Sequence, residues 1–210
     1  MKAVTFDGFG APEVLQVVER SSPQPGPGEV VVAVTAATIN PTDLMMLDGT
    51  QAPLMAGLKP PFIAGMEYSG HIAAIGQGMD LLLGTPVIGV INPRTSKGGA
   101  QAAQICVSAK SVAGVAPGMD LVSAATVPMN ALTAMLALEM LALAPGQSVL
   151  VTGGAGMVGG RSPSTGVGQP FCRNWASAMR ERIFAITGSA TAEARLPTRP
   201  RSSGNPVWRA

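Results

Sequence analysis

Histidine occurs once in this sequence, and cysteine twice. His71, Cys106 and Cys172 show no metal-ligand or redox spacing, and two cysteines cannot build a disulfide framework. A reduced, cytoplasmic setting fits that usage. Aromatic residues make up 4% of the 210 residues and include a single tyrosine, Tyr68. Charged residues are also scarce, at 12%. The opening residues, MKAVTFDGFG, lack the apolar run of a signal peptide. The most apolar stretch, Ala131 to Ala144, is too short to span a bilayer and carries Glu139. It reads as a buried helix, and no membrane partner is expected.

What is present is unevenly spread. Residues 1–160 hold six Lys/Arg against ten Asp/Glu, whereas residues 161–210 hold eight Arg, no Lys and two Glu. So sharp a change of sign marks a basic tail or a segment of different origin. The tail is rich in Arg, Pro, Ser, Gly and Ala, a composition expected to be disordered. It reads first as an irregular or out-of-frame stretch. A nucleic-acid-binding tail is disfavoured, because no basic stripe or recognised motif appears.

Before that tail, short runs rich in Val, Ile and Thr alternate with Gly/Pro punctuation. Strands are expected at Lys2 to Phe6, Val14 to Val18, Glu29 to Ala37, Ile63 to Ala74 (broken at Gly65 and Gly70), Gly84 to Ile91 and Gln104 to Val107. Asn40 to Leu47 suits one or two helical turns, started by Asn40 or Thr42. The pattern changes near residue 120. Asp120 to Ala125 resembles a helix start, and Asn130 to Leu143 has helical spacing, ended by Ala144-Pro145-Gly146.

An apolar strand, Ser148 to Thr152, is then expected to enter the turn Gly154-Ala155-Gly156-Met157-Val158-Gly159, which fits G-x-G-x-x-G. The first glycine permits the tight turn, the second lets backbone approach a pyrophosphate, and the third lets helix and strand pack closely. An ordinary strand-to-loop turn in a glycine-rich chain would look the same. The confirming crossover helix is missing from the sequence that follows. Pro163, Gly166, Gly168 and Pro170 forbid a continuous amphipathic helix there.

Five ordered motifs carry a family resemblance. They are MKAVTFDGFGAPEVL at the start, PGPGEVVVAVTAATINPTD at 25–43, PPFIAGMEYSGHIAAIG at 60–76, ATVPMNALTAMLAL at 125–138 and PGQSVLVTGGAGMVGG at 145–160. Together they resemble the zinc-free quinone oxidoreductase branch of the medium-chain dehydrogenase/reductase superfamily, broken off within its Rossmann domain. The resemblance implies a mixed α/β fold. Residues 1–120 would form a GroES-like β-rich domain. Residues 121–160 would form a bridging helix and the start of a doubly wound Rossmann domain, and residues 161–210 an irregular tail.

It also implies hydride transfer from NADPH to a quinone or enone-like small molecule, in which the cofactor carries the chemistry and the protein orients it. By resemblance, Asn40 and Asp43 are the catalytic candidates, although a helix cap would use the same residue types. Thr126, Asn130 and Thr133 would approach the cofactor from the bridging helix, and Gly154 to Gly159 would hold its pyrophosphate. Glu67 matches an acidic residue kept beside the lost zinc site.

No metal ligands are expected. Zinc-dependent relatives place Cys where Asn40 or Pro41 stands and His where Met66 stands, and the region 77–110 contains only Cys106. Enoyl-thioester reductases of the superfamily carry a tyrosine proton donor where this chain has Gly49-Thr50-Gln51. Because only the first strand and turn of a Rossmann site are recognisable, little or no turnover is expected of this chain alone. A non-catalytic GroES-like domain with an interaction role is the alternative, and assembly with like chains is left open.

Overall fold

The computed structural model describes residues 1–78, 81–142, 149–153 and 156–158. Strand β1 (Lys2–Thr5) pairs antiparallel with β2 (Gln16–Glu19) in a two-stranded ribbon. Next come β3 (Glu29–Ala37), helix α1 (Pro41–Leu47), β4 (Glu67–Ile75), β5 (Pro86–Val90), β6 (Gln104–Ser108) and β7 (Val112–Gly114). The last five strands form one antiparallel sheet in the order β6-β3-β4-β5-β7. Two helices follow, α2 (Leu121–Ala125) and α3 (Pro128–Leu141), and both lie against this sheet.

Valine-rich strands buried on one or both faces make the core. Val30, Val32, Tyr68, Ile72, Val87, Ile105, Val107 and Val112 share one apolar cluster. Ile88 is the next residue after Val87 and faces the other way, into a cluster with Ala113 and Ala124 of α2. A third cluster gathers Phe6, Met46, Leu47, Met55 and Ala64 beneath α1. The sheet is thus covered on both faces, and α2 is held to it by Ser69, whose hydroxyl donates to the Leu121 carbonyl.

Four expectations need correction. Gly70 does not break β4, because the strand runs unbroken from Glu67 to Ile75. A Cβ at Gly70 would lie 2.1 Å from the Ala33 carbonyl oxygen, so glycine there permits close approach of β3 and β4. Strand β7 was not anticipated, since Val-Ala-Gly is too short to carry an alternating pattern. The helix over Ala131 to Ala144 is not buried. Of α3 only Pro128, Ala134 and Met135 are buried, while Leu136, Met140 and Leu141 are exposed, because only one side of the helix meets the sheet. It ends at Leu141, with Ala142 in the left-handed region at φ 47°.

Finally, Val149 to Thr152 form no strand: Val149 and Leu150 are exposed and pair with no described neighbour. A parallel strand needs a partner to satisfy its backbone. Gly154, Ala155 and Gly159 of the expected phosphate turn lie outside the described residues, as do 161–210.

Candidate functional site

The site begins where β3 ends. Asn40 takes the N-cap position of α1 with extended backbone (φ −115°, ψ 162°), followed by Pro41 in the first turn. Its backbone N–H donates to Asp43 Oδ2 at 2.7 Å, and Asp43 N–H donates to the Asn40 carbonyl at 2.9 Å. The Asp43 carboxyl, 4% exposed, also accepts from Gly65 N–H at 2.8 Å. Gly65 has φ +99°, and a side chain there would crowd the Ala100 and Gln101 backbone. One buried carboxyl therefore ties the start of α1 to the loop entering β4.

With its backbone satisfied by Asp43, Asn40 turns its side chain to Glu67, the first residue of β4. Glu67 is completely buried. Thr38 Oγ1 donates to Glu67 Oε1 at 2.7 Å, Asn40 Nδ2 reaches the same oxygen at 3.2 Å, and Met129 N–H donates to Glu67 Oε2 at 2.8 Å. Asn40 Nδ2 also reaches Thr38 Oγ1 at 2.9 Å. Those two acceptors sit too close together to be served by separate amide hydrogens, so one N–H is shared between them. Asn40, half-buried, keeps its second N–H to offer a bound molecule.

By the resemblance, Met66 stands where a zinc-dependent relative would place a ligand, and Glu67 stands beside it. Both Glu67 oxygens already accept from protein donors, and no group of three His, Cys, Asp or Glu side chains occurs among the described residues. Nor does the tyrosine serve the site. Tyr68 points into the opposite core, and burial pushes its phenol well above the ordinary range. In the stretch Gly49-Thr50-Gln51, Gln51 is buried and accepts from Arg94 Nη1.

Three polar residues stand near the start of α3: Thr126, the C-cap of α2, and Asn130 and Thr133 on α3 itself. Asn130 and Thr133 are three residues apart, which puts them on one helical face. Thr126 Oγ1 bonds the Ser123 carbonyl (2.9 Å), Asn130 Nδ2 the Thr126 carbonyl (3.0 Å) and Thr133 Oγ1 the Met129 carbonyl (2.7 Å). Of the glycine-rich turn, Gly156, Met157 and Val158 are exposed. Gly156 N–H donates to the Gly153 carbonyl at 2.9 Å, and among the described residues a Cβ at Gly156 would meet only that oxygen, at 3.2 Å.

Sequence reading singled out Asn40, Asp43, Glu67, Thr126, Asn130 and Thr133, and it missed Thr38, Gly65 N–H, Met129 N–H and Arg94. Thr38 carried a weak signal, standing two residues before Asn40 at a strand end. A backbone N–H carries none.

Residues 26–135 match the family model described as the alcohol dehydrogenase GroES-like domain. The human synaptic vesicle membrane protein VAT-1 homolog-like is 32% identical over 161 residues, covering 76% of this chain and 36% of the relative. A quinone oxidoreductase from Coxiella burnetii superposes with a TM-score of 0.69 at 28% identity, covering 77% of this chain and 51% of that one. A mycobacterial protein solved as its complex with NADPH superposes with a TM-score of 0.65 at 26% identity, over 87% of this chain and 56% of that one. The chain thus spans between about a third and about half of the length of these relatives.

Proposed function

The chain belongs to the family of the alcohol dehydrogenase GroES-like domain, and on that premise we propose that it forms the substrate side of an NADPH-dependent, zinc-independent oxidoreductase acting on a quinone or an activated alkene. The observation that carries this reading is the anchored Asn40 amide. It is fixed by Asp43 through its backbone and by Thr38 and Glu67 through one side-chain N–H, with the other N–H to spare. Reduction of a quinone or enone builds negative charge on oxygen. A pre-oriented amide N–H stabilises such charge without reorganising. Asn40 is then the residue that touches substrate, and Asp43, enclosed with both oxygens engaged, is the residue that positions it.

The similarity to a Coxiella burnetii quinone oxidoreductase and to a mycobacterial complex with NADPH supports the substrate and cofactor classes. NADPH would supply the hydride. Thr126, Asn130 and Thr133, around the start of α3, are the residues proposed to meet its carboxamide end. The Thr133 hydroxyl spends its hydrogen on the Met129 carbonyl and can accept from an amide N–H. The turn fits its pyrophosphate less readily, because Gly156 N–H is engaged within the turn and would have to exchange partners. Zinc independence is proposed from the donor chemistry at Asn40, Met66 and Glu67.

A second reading is a GroES-like domain that binds without turning over. It is favoured by the want of a phenol at the site among the described residues, since Tyr68 is enclosed in the core and Gly49-Thr50-Gln51 stands where enoyl-thioester reductases would carry a tyrosine. Titrating NADPH with the chain and following nicotinamide fluorescence separates the readings, together with an assay on a simple quinone. Oxidoreduction predicts binding that Gly156→Val abolishes, and turnover that Asn40→Ala lowers about 100-fold or more. Binding without any turnover favours the second reading, and unchanged affinity in Gly156→Val removes the turn from the site.

A further inference from the structure

Positive charge is scarce in residues 1–160, and half of its side chains line one cavity. Residues 1–160 contain only Lys2, Arg20, Lys59, Arg94, Lys97 and Lys110 as cations, against ten acids. Arg20, Lys59 and Lys97 all line a pocket of ≈ 300 Å³ formed by the loop before β4 and the loop between β5 and β6. No Asp or Glu is in that lining. Thr95 and Ser96 add two exposed hydroxyls to the rim. The rest of the wall is apolar, chiefly Leu58, Pro61, Phe62, Ile63 and Pro93.

The cations are not equivalent. Lys97 Nζ pairs with Glu29 Oε1 and lies 3.8 Å from Cys106 Sγ, so its charge is partly compensated from behind the pocket. Arg20 and Lys59 have no carboxylate partner among the described residues. Their side chains are exposed at the mouth. In a domain whose net charge is negative, two unpaired cations and a third half-compensated one converge on an apolar hollow. That arrangement favours an anion over a neutral molecule in the hollow.

We propose that this pocket binds a compact organic anion, with a phosphate or carboxylate head held by Arg20 and Lys59 and a flat apolar body lying against Phe62, Ile63 and Pro93. Guanidinium and ammonium suit such a head, because charge-assisted hydrogen bonds to it are shorter and stronger than neutral ones. The volume admits a body about the size of one ring, at the lower limit of ligand pockets. None of its lining residues belongs to the Asn40–Glu67 cluster or to the cofactor face of α3. The site therefore does not depend on the oxidoreductase reading.

Phenyl phosphate, benzoate and the neutral benzyl alcohol are the probes, titrated calorimetrically into the full chain at low ionic strength. Saturable 1:1 binding of at least one anion is expected, with benzyl alcohol bound at least about tenfold more weakly. The tighter of phenyl phosphate and benzoate identifies the head group. Arg20→Gln and Lys59→Gln should each weaken the anion several-fold, and together by at least about tenfold, while Lys110→Gln leaves it unchanged. Both sites are exposed, so the fold should persist, and an unchanged thermal midpoint checks that it does. Retained affinity in the double variant, equal loss in Lys110→Gln, benzyl alcohol bound as tightly as the anions, or no binding of either anion would each overturn the proposal.

Discussion

Glu67 and Tyr68 are neighbours on β4, both completely buried, and they face opposite sides of the same sheet. On the Glu67 side, a polar group is surrounded by donors from three elements: the end of β3, the start of α1 and the start of α3. On the Tyr68 side the surroundings are Val30, Val32, Ile72 and Val87, and the phenol oxygen has no partner among the described residues. A buried polar group is tolerable when satisfied and costly when it is not. One face therefore holds a polar group that joins the fold to its site. The other holds one that contributes only its ring.

The comparison can be broken by substitution. Glu67→Ala should be the most damaging change, because it orphans Met129 N–H and removes the anchor of Thr38 and Asn40. A loss of about 3–5 kcal/mol is expected in urea unfolding. A loss below about 1 kcal/mol would show that the cluster is not a structural knot. Asp43→Ala leaves the N–H groups of Asn40 and Gly65 without acceptors and should cost about 2 kcal/mol by the same measurement. Any remaining quinone turnover should fall with it, as Asn40 loses its fixed backbone. On the other face the sign reverses: Tyr68→Phe should be neutral or should stabilise by about 1 kcal/mol, since it deletes an unsatisfied hydroxyl and keeps the ring. A clear destabilisation would reveal a partner for that oxygen.

The smallest effect belongs to Asp120, which lies outside both environments. Its carboxylate caps α2 by accepting from Ser123 N–H at 2.9 Å, and that hydrogen bond lowers its pKa. A carboxyl whose folded pKa is lowered stabilises the protein above its unfolded pKa, about 3.9, and the gain is lost as pH falls through the folded value. Asp120→Ala should thus give a slightly lower melting temperature near neutral pH. The gap should close in acid. A gap that stays constant with pH would mean that the cap acts without its charge.

Much of the sheet was legible. Glu29 to Ala37 was read with the bounds of β3, and Asn40 and Asp120 each stand at the start of the helix expected there. These are local signals: β-branched runs, a Pro in the first turn, a side chain able to cap. The site was only half legible. Asn40, Asp43 and Glu67 came from matching motifs, whereas Thr38 and the N–H groups of Gly65 and Met129 came from pairing between distant segments. Met129 and Glu67 are 62 residues apart, and no period in the chain announces their contact. Gly70 was misread because a glycine that breaks a strand and one that lets two strands approach look identical in sequence.

Composition and local pattern thus determined that this chain makes a β-rich body punctuated by glycine and proline, and that it offers few metal-ligating side chains. They also determined where α1 and α2 begin, because caps and turns are settled by residues within a few positions of one another. Tertiary structure alone decided which buried polar groups are satisfied. Glu67 is surrounded by donors and Tyr68 is not, although the two are adjacent in the chain. Burial and hydrogen-bond partners depend on what folds back from far away, and that is a property of the packed sheet.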